Sequence, residues 1–166
     1  MSQTLAELIN VIPQRGIVDW IGVRPARNAP MQAEAQVLAQ MGKGLDGDRF
    51  KASSTRREVT FIQGEHIDAL ASMLGTGAIQ PATLRRNIVV RGLNLLALKD
   101  KVFQIGDACF EFTGPAHPCS RMEAALGPGG YNAMRGHGGI TTRILRSGTV
   151  RVGDTVRVIS ASANCR

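Results

Sequence analysis

Apolar positions along the chain fall into short runs, each closed by residues that favour turns. Gly16-Ile-Val-Asp-Trp-Ile-Gly-Val23 is apolar with a β-branched bias, and Pro25, Asn28 and Pro30 follow it, which predicts a strand and then a loop. A second strand is expected over Ala35 to Gln40. It ends at Met41-Gly-Lys-Gly-Leu-Asp-Gly-Asp-Arg49, where three glycines and two aspartates make a loop, and the polar stretch Lys51 to Glu58 extends that loop as a candidate mobile segment. Val59-Thr-Phe-Ile62 reads as a buried strand. From Glu65 to Leu74 the period changes: Ile67, Leu70 and Leu74 fall at helical spacing before Gly75 stops the run.

Strands return at Arg86 to Val90, Lys101 to Ile105 and Ala108 to Thr113, with Gly106-Asp107 turning the last two into a hairpin. Thr149 to Ile159 reads as a further hairpin, turning at Gly153-Asp154. Gly114 to Gly139 holds seven glycines and three of the chain's seven prolines, too much backbone punctuation for an ordinary connection, so a long structured loop with a functional role is expected there. Many short strands and a few short helices predict a mainly β (α+β) fold, a mixed barrel that is closed or nearly closed. A length of 166 residues sets one core. The domain is expected over residues 16–160, with an amino-terminal extension over 1–15 and a tail over 161–166.

Charge changes this picture only in part. The net charge of +7 invites a polyanion, but the cations are dispersed from Arg15 to Arg166 and only 4% of residues are aromatic, so a nucleic-acid partner is not expected. Sixteen of the 20 cations are arginines, which suit bidentate binding of a small phosphate or carboxylate. The amino terminus has no positive residue before Arg15 and no continuous apolar core, and no apolar run reaches a bilayer's span. No membrane partner is expected, and a cytoplasmic location follows. Cys109, Cys119 and Cys165 are odd in number and widely spaced, which predicts reduced thiols rather than a disulfide framework. Cys165, one residue from the end, is expected to be disordered.

Candidate chemistry centres on Thr113-Gly-Pro-Ala-His-Pro-Cys-Ser-Arg-Met122. Cys119 follows a proline, and His117 or Arg121 would favour its thiolate, the form that attacks, carries sulfur or ligates a soft metal. A buried structural thiol is the competing reading. Cys109, alternating within a strand, suits packing. A zinc deaminase pattern is begun by Pro118-Cys119 and broken by Met122. Strand alternation puts Arg85 and Asn87 on one face, where a guanidinium and an amide could hold a phosphate or a polar ring edge; a solvated strand end is the plainer alternative. Asp48 and Arg49 offer either a loop-fixing ion pair or an anion contact. His66, on a helix, reads as a surface or packing residue, and His137 as a turn residue.

Leu45-Asp-Gly-Asp-Arg49, Arg85-Arg-Asn-Ile-Val-Val90, Ile105-Gly-Asp107, Gly114-Pro-Ala-His-Pro-Cys119 and Gly148-Thr-Val-Arg-Val-Gly-Asp154 together resemble the MOSC domain, the carboxy-terminal domain of molybdenum cofactor sulfurases, in its small stand-alone bacterial form. The resemblance implies a barrel-like fold and a functional cysteine at Cys119, which is a molybdenum ligand in relatives that reduce N-hydroxylated compounds. In those relatives an Arg-x-Asn pair holds the pterin or its phosphate and falls on Arg85 and Asn87. With Asp48 and Arg49 these make the expected cofactor-binding set, while Cys119, His117 and Arg121 make the catalytic one. The position two before the cysteine, a serine in those reductases, is His117 here. The reductases and sulfurases also carry an additional amino-terminal β-rich domain, whereas about forty residues precede Asp-Gly-Asp-Arg in this chain. Pyridoxal phosphate belongs to a different sulfurase domain and is not expected. Three roles are open: a molybdopterin-dependent reductase with an electron-transfer partner, a metal-free carrier of a Cys119 persulfide fed by a cysteine desulfurase, and a non-enzymatic accessory module. A homodimer is compatible with each.

Overall fold

The computed structural model describes residues 2–50, 54, 56–160 and 165. In chain order the elements are α1 (Leu5–Ile9), β1 (Gly16–Val23), β2 (Gln32–Glu34), β3 (Gln36–Gln40), β4 (Gly44–Leu45), β5 (Val59–Gln63), α2 (Gly64–Leu74), β6 (Ile88–Arg91), β7 (Val102–Ile105), β8 (Ala108–Pro115), α3 (Ser120–Leu126), α4 (Gly130–Met134), β9 (Ile140–Arg146), β10 (Gly148–Arg151) and β11 (Thr155–Ile159). Single 3-10 turns at Pro81–Leu84 and Leu95–Leu98 flank β6.

Seven strands pair in the order β11-β7-β8-β9-β5-β6-β1, and β1 pairs back onto β11, which closes a mixed barrel. Only β5 and β6 run parallel among its pairs, because α2 carries the chain across between them. The core is what the alternating apolar runs bury: Ile21, Phe61, Ile88, Phe103, Ile105 and Phe110 are fully buried inside the barrel, and the rings of Phe61, Phe103 and Phe110 lie 5.3 to 5.6 Å apart. A smaller cluster, including Ile67, Leu70, Leu84, Met122 and Met134, seats α2, α3 and α4 against one flank. Among the described residues no helix is long and apolar enough to cross a membrane.

The expected strands and the expected helix form where the pattern put them, and Gly75 ends α2 in the left-handed conformation at φ 63°. Two expectations change. Residues 149–159 turn at Gly153-Asp154, but β10 joins a second sheet with β3 and β4 while β11 joins the barrel, so no hairpin forms. β9, unmarked by any clean alternation, is a barrel strand between β8 and β5. The long loop at 114–139 contains the two short helices α3 and α4.

Candidate functional site

At the end of β1 the chain meets the Asp-Gly-Asp-Arg turn, and two bonds clasp them: Arg24 N donates to Asp48 Oδ1 at 2.6 Å, and Arg49 N donates to Arg24 O at 2.7 Å. Gly44 and Gly47, at φ 79° and 80°, let the turn close. Asn87, only 7% exposed, locks it in place: its Nδ2 donates to Asp48 Oδ2 (3.1 Å) and Gly22 O (3.2 Å), while its Oδ1 accepts from Thr60 N and Oγ1. All four hydrogen-bonding positions of this amide are thereby filled within the protein. Asn87 is a positioning residue for Asp48, not a free hand for a ligand.

Around this clasp lies a cavity of about 400 Å³ whose walls include Arg24, Asp48, Arg49, Arg57, Glu58 and Arg85. Among the described residues none of its four arginines lies within ion-pair distance of a carboxylate. Among the described residues three buried side-chain atoms have no hydrogen-bond partner, Arg24 Nε, Arg85 Nη2 and Glu58 Oε1, and all three belong to residues lining this one cavity. Buried polar atoms ordinarily find partners, because leaving one unpaired costs about 1–3 kcal/mol. Burial also pushes the Asp48 carboxyl above its ordinary range, opposed by its bonds from Arg24 N and Asn87.

Arg85 and Asn87 do line one cavity, but not through strand alternation. Arg85 caps the first 3-10 turn at φ 58°, in the left-handed region, and β6 starts only at Ile88. That conformation turns Arg85 to the cavity and sends Arg86 to the other side, where its guanidinium donates to the carbonyls of Gly138 (2.8 Å), Leu84, Ala116 and His117 (each 3.3 Å). Gly138 has to be glycine, since a Cβ there would collide with Ala116 O. Arg86 therefore stitches the segment before Cys119 to the barrel.

Cys119 is exposed, free, and the cap residue of α3. It does not line the arginine cavity but lies within electrostatic reach of both Arg85 and Arg86, whose guanidinium pKa values burial lowers. Arg121 is exposed and lines a second, more open concavity of about 590 Å³ with Arg85 and Met31, the two residues that line both. His117 is exposed, and what the structure fixes is its carbonyl, held by Arg86. His66 and His137 pack edge to face with ring centres 4.8 Å apart, and His137 N donates to Met134 O in a turn.

One further expectation is corrected. Cys109 and Cys165 form a disulfide with Cα atoms 6.1 Å apart, so of three thiols only Cys119 is free. In the segment from 51 to 58 read as mobile, 51–53 and 55 lie outside the described residues, and Glu58 is 5% exposed with its Oε2 accepting from Ile144 N at 2.6 Å. Sequence reasoning missed Arg24, Arg57, Glu58 and Arg86. A charge directly abutting an apolar run, as at Val23-Arg24 and Glu58-Val59, was the available signal. Among the described residues no group of three or more His, Cys, Asp or Glu could hold a metal ion.

Compared with known proteins, residues 46–157 match the family model for the MOSC domain. No curated protein matches the chain. Among solved structures it is similar to the YuaD protein from Bacillus subtilis (TM-score 0.76, 18% identity, covering 87% of this chain and 96% of that one). It is also similar to YiiM from Geobacillus stearothermophilus (0.72, 16%, 87% and 75%) and YiiM from Escherichia coli (0.67, 17%, 89% and 71%). At these identities the likeness is one of fold.

Proposed function

The chain belongs to the MOSC domain family, which is generally associated with molybdenum cofactor binding, and from that membership we propose that the arginine-walled cavity binds the anionic part of molybdopterin while Cys119 ligates the metal. The observation that carries this reading is the convergence of unpartnered atoms: Arg24 Nε and Arg85 Nη2, both buried, are donors without acceptors on one cavity. A phosphate supplies acceptors to both and is the natural complement of Arg49 and Arg57 beside them. Asp48 holds the Arg24 backbone, and Asn87 holds Asp48, so the turn that carries Arg24 is fixed before the anion arrives. Arg85 links the cavity to Cys119 and to the open concavity where a substrate could approach. When bound, the molybdenum centre would supply two-electron redox chemistry of the kind that reduces N-hydroxylated compounds, drawing on an electron-transfer partner. The test is metal and pterin analysis of protein purified from cells making the cofactor. Wild type is expected to carry both and Cys119→Ser to lose the metal; finding neither in wild type sinks the proposal.

A second reading is favoured by one observation: Cys119 is exposed and lines neither concavity, as suits a thiol that hands sulfur from one protein to another. In this reading a cysteine desulfurase loads Cys119 as a persulfide and the arginines hold the acceptor. Mass spectrometry after incubation with a desulfurase and cysteine is expected to show one added sulfur at Cys119. No gain across several desulfurases excludes it.

A further inference from the structure

The arginine cavity contains an acceptor as well as donors. Glu58, 5% exposed, enters the wall immediately before β5, and its two carboxyl oxygens have different fates. Oε2 is tied to Ile144 N of β9 at 2.6 Å, which leaves Oε1 as a buried oxygen with no partner among the described residues, on a side chain that lines the cavity. Anchoring β9 does not explain a carboxylate here, because the oxygen of a glutamine amide would accept from Ile144 N equally well. A metal ion does not explain it either: Arg24, Arg49, Arg57 and Arg85 line the same cavity and would repel a cation. What complements a lone acceptor among guanidiniums is a neutral N–H carried on a molecule whose negative charge the arginines hold.

We propose that Glu58 is a specificity residue, its Oε1 accepting a hydrogen bond from a ring or amino N–H of a phosphorylated heterocycle whose phosphate rests on the arginines. The chemistry is that of the 2-amino-4-oxo edge shared by pterins and guanine, in which neutral N–H donors stand side by side. This deepens the reading of the cavity as an anion site and rests on it. The cavity's volume of about 400 Å³ leaves room for a bicyclic ring beside a phosphate. Because the acceptor is buried, a ring lacking the donor leaves the carboxylate unpaired, and that penalty gives discrimination its force.

The experiment compares four probes by calorimetry on the full chain: inorganic phosphate, 6-hydroxymethylpterin monophosphate, guanosine 5′-monophosphate, and purine riboside 5′-monophosphate, which lacks the donor edge. Wild type is expected to bind one or both donor-bearing probes at least about tenfold more tightly than purine riboside 5′-monophosphate. A gap for the pterin alone identifies a pterin as the source of the edge, and a gap for guanosine monophosphate admits a nucleotide; either supports Glu58 as an acceptor if the variant removes it. In Glu58→Gln, Ile144 N claims the amide oxygen and the NH₂ faces the cavity, so the gap is expected to vanish while phosphate binds at least as well. A gap that survives Glu58→Gln overturns the role of Glu58, as does a wild type that binds all three phosphorylated rings equally. That second arm needs no variant to fold. Failure of wild type to bind any probe, phosphate included, instead overturns the anion reading and this inference with it.

Discussion

Arg85 concentrates the conflict between stability and use at a single residue. A non-glycine residue at φ 58° costs about 1–2 kcal/mol, because its Cβ crowds the adjoining carbonyl oxygen. Arg85→Gly removes that strain together with the cavity's guanidinium. It is expected to raise the melting temperature by a few degrees, roughly the effect of 1 kcal/mol in a domain of this size, while weakening sulfate binding by about tenfold or more. A variant that binds sulfate as wild type does would remove Arg85 from the site. Asp48 gives the cavity a pH dependence. Its carboxyl titrates above the ordinary range because it is buried, so acidification through that raised pKa removes a negative charge from among the arginines. Sulfate, whose own charge is constant over this range, is expected to bind about tenfold more tightly below the raised value than at neutral pH. The sign for stability is the same: the folded state binds the proton more readily than the unfolded one, so the contribution of Asp48 is fullest below the unfolded carboxyl value and is lost as pH rises through the folded one. Asp48→Asn should flatten both trends, measured by calorimetry and by melting across pH. Cys119 stood out in the sequence because its neighbours are unusual, whereas Glu58 and Arg24 did not, since what makes them matter is a partner 86 or 24 positions away.

Among the elements, what the sequence made legible follows period and punctuation. β1, β5, β7 and α2 each carry an unbroken pattern closed by a turn former, and each forms as that pattern predicts. β9 does not, because β8 shifts register against it twice, between Cys109 and Phe110 and between Phe112 and Gly114, and Ile140, Thr141 and Thr142 are buried in succession. The fork of Arg86 belongs to this scale, since it joins the first 3-10 turn, the segment before Cys119 and the Gly138 turn through four carbonyls. Arg86→Met leaves those acceptors without a donor and is expected to cost roughly 2–4 kcal/mol in urea unfolding. Arg86→Lys, which keeps the charge but not the fork, should recover only part of that. Both variants are expected to speed alkylation of Cys119 as its segment loosens. Unchanged stability together with an unchanged alkylation rate would show that the fork does not hold the segment.

For the whole molecule, closure depends on pairings that local pattern cannot carry. β1 meets β11 across nearly the full length of the chain, with Gly16 opposite Val156 and Ile17 opposite Thr155, and β10 and β11 part into different sheets after a turn that reads as an ordinary hairpin. The cysteines misled for the same reason. An odd count argued for three free thiols, whereas one pair and one single thiol satisfy an odd count equally well. The pair ties the end of the chain to β8: Cys109 lies fully buried in a small outer cluster with Val102 and Ile159, against which Cys165 packs, across a sequence separation of 56. A bridge closing a loop of that length restricts the unfolded chain by roughly 2–4 kcal/mol. Reductant is therefore expected to lower the melting temperature of the wild type by at least about 4 °C. Cys109→Ser/Cys165→Ser should melt at the reduced value and ignore reductant. Thiol titration of the unfolded, unreduced chain should find one group, Cys119, rising to three after reduction. Three groups before reduction, in protein handled without reductant, would mean that the tail is not bridged. In that case the fall in melting temperature on reduction should also be absent, since Cys119, lacking a disulfide partner, offers the reductant nothing to break.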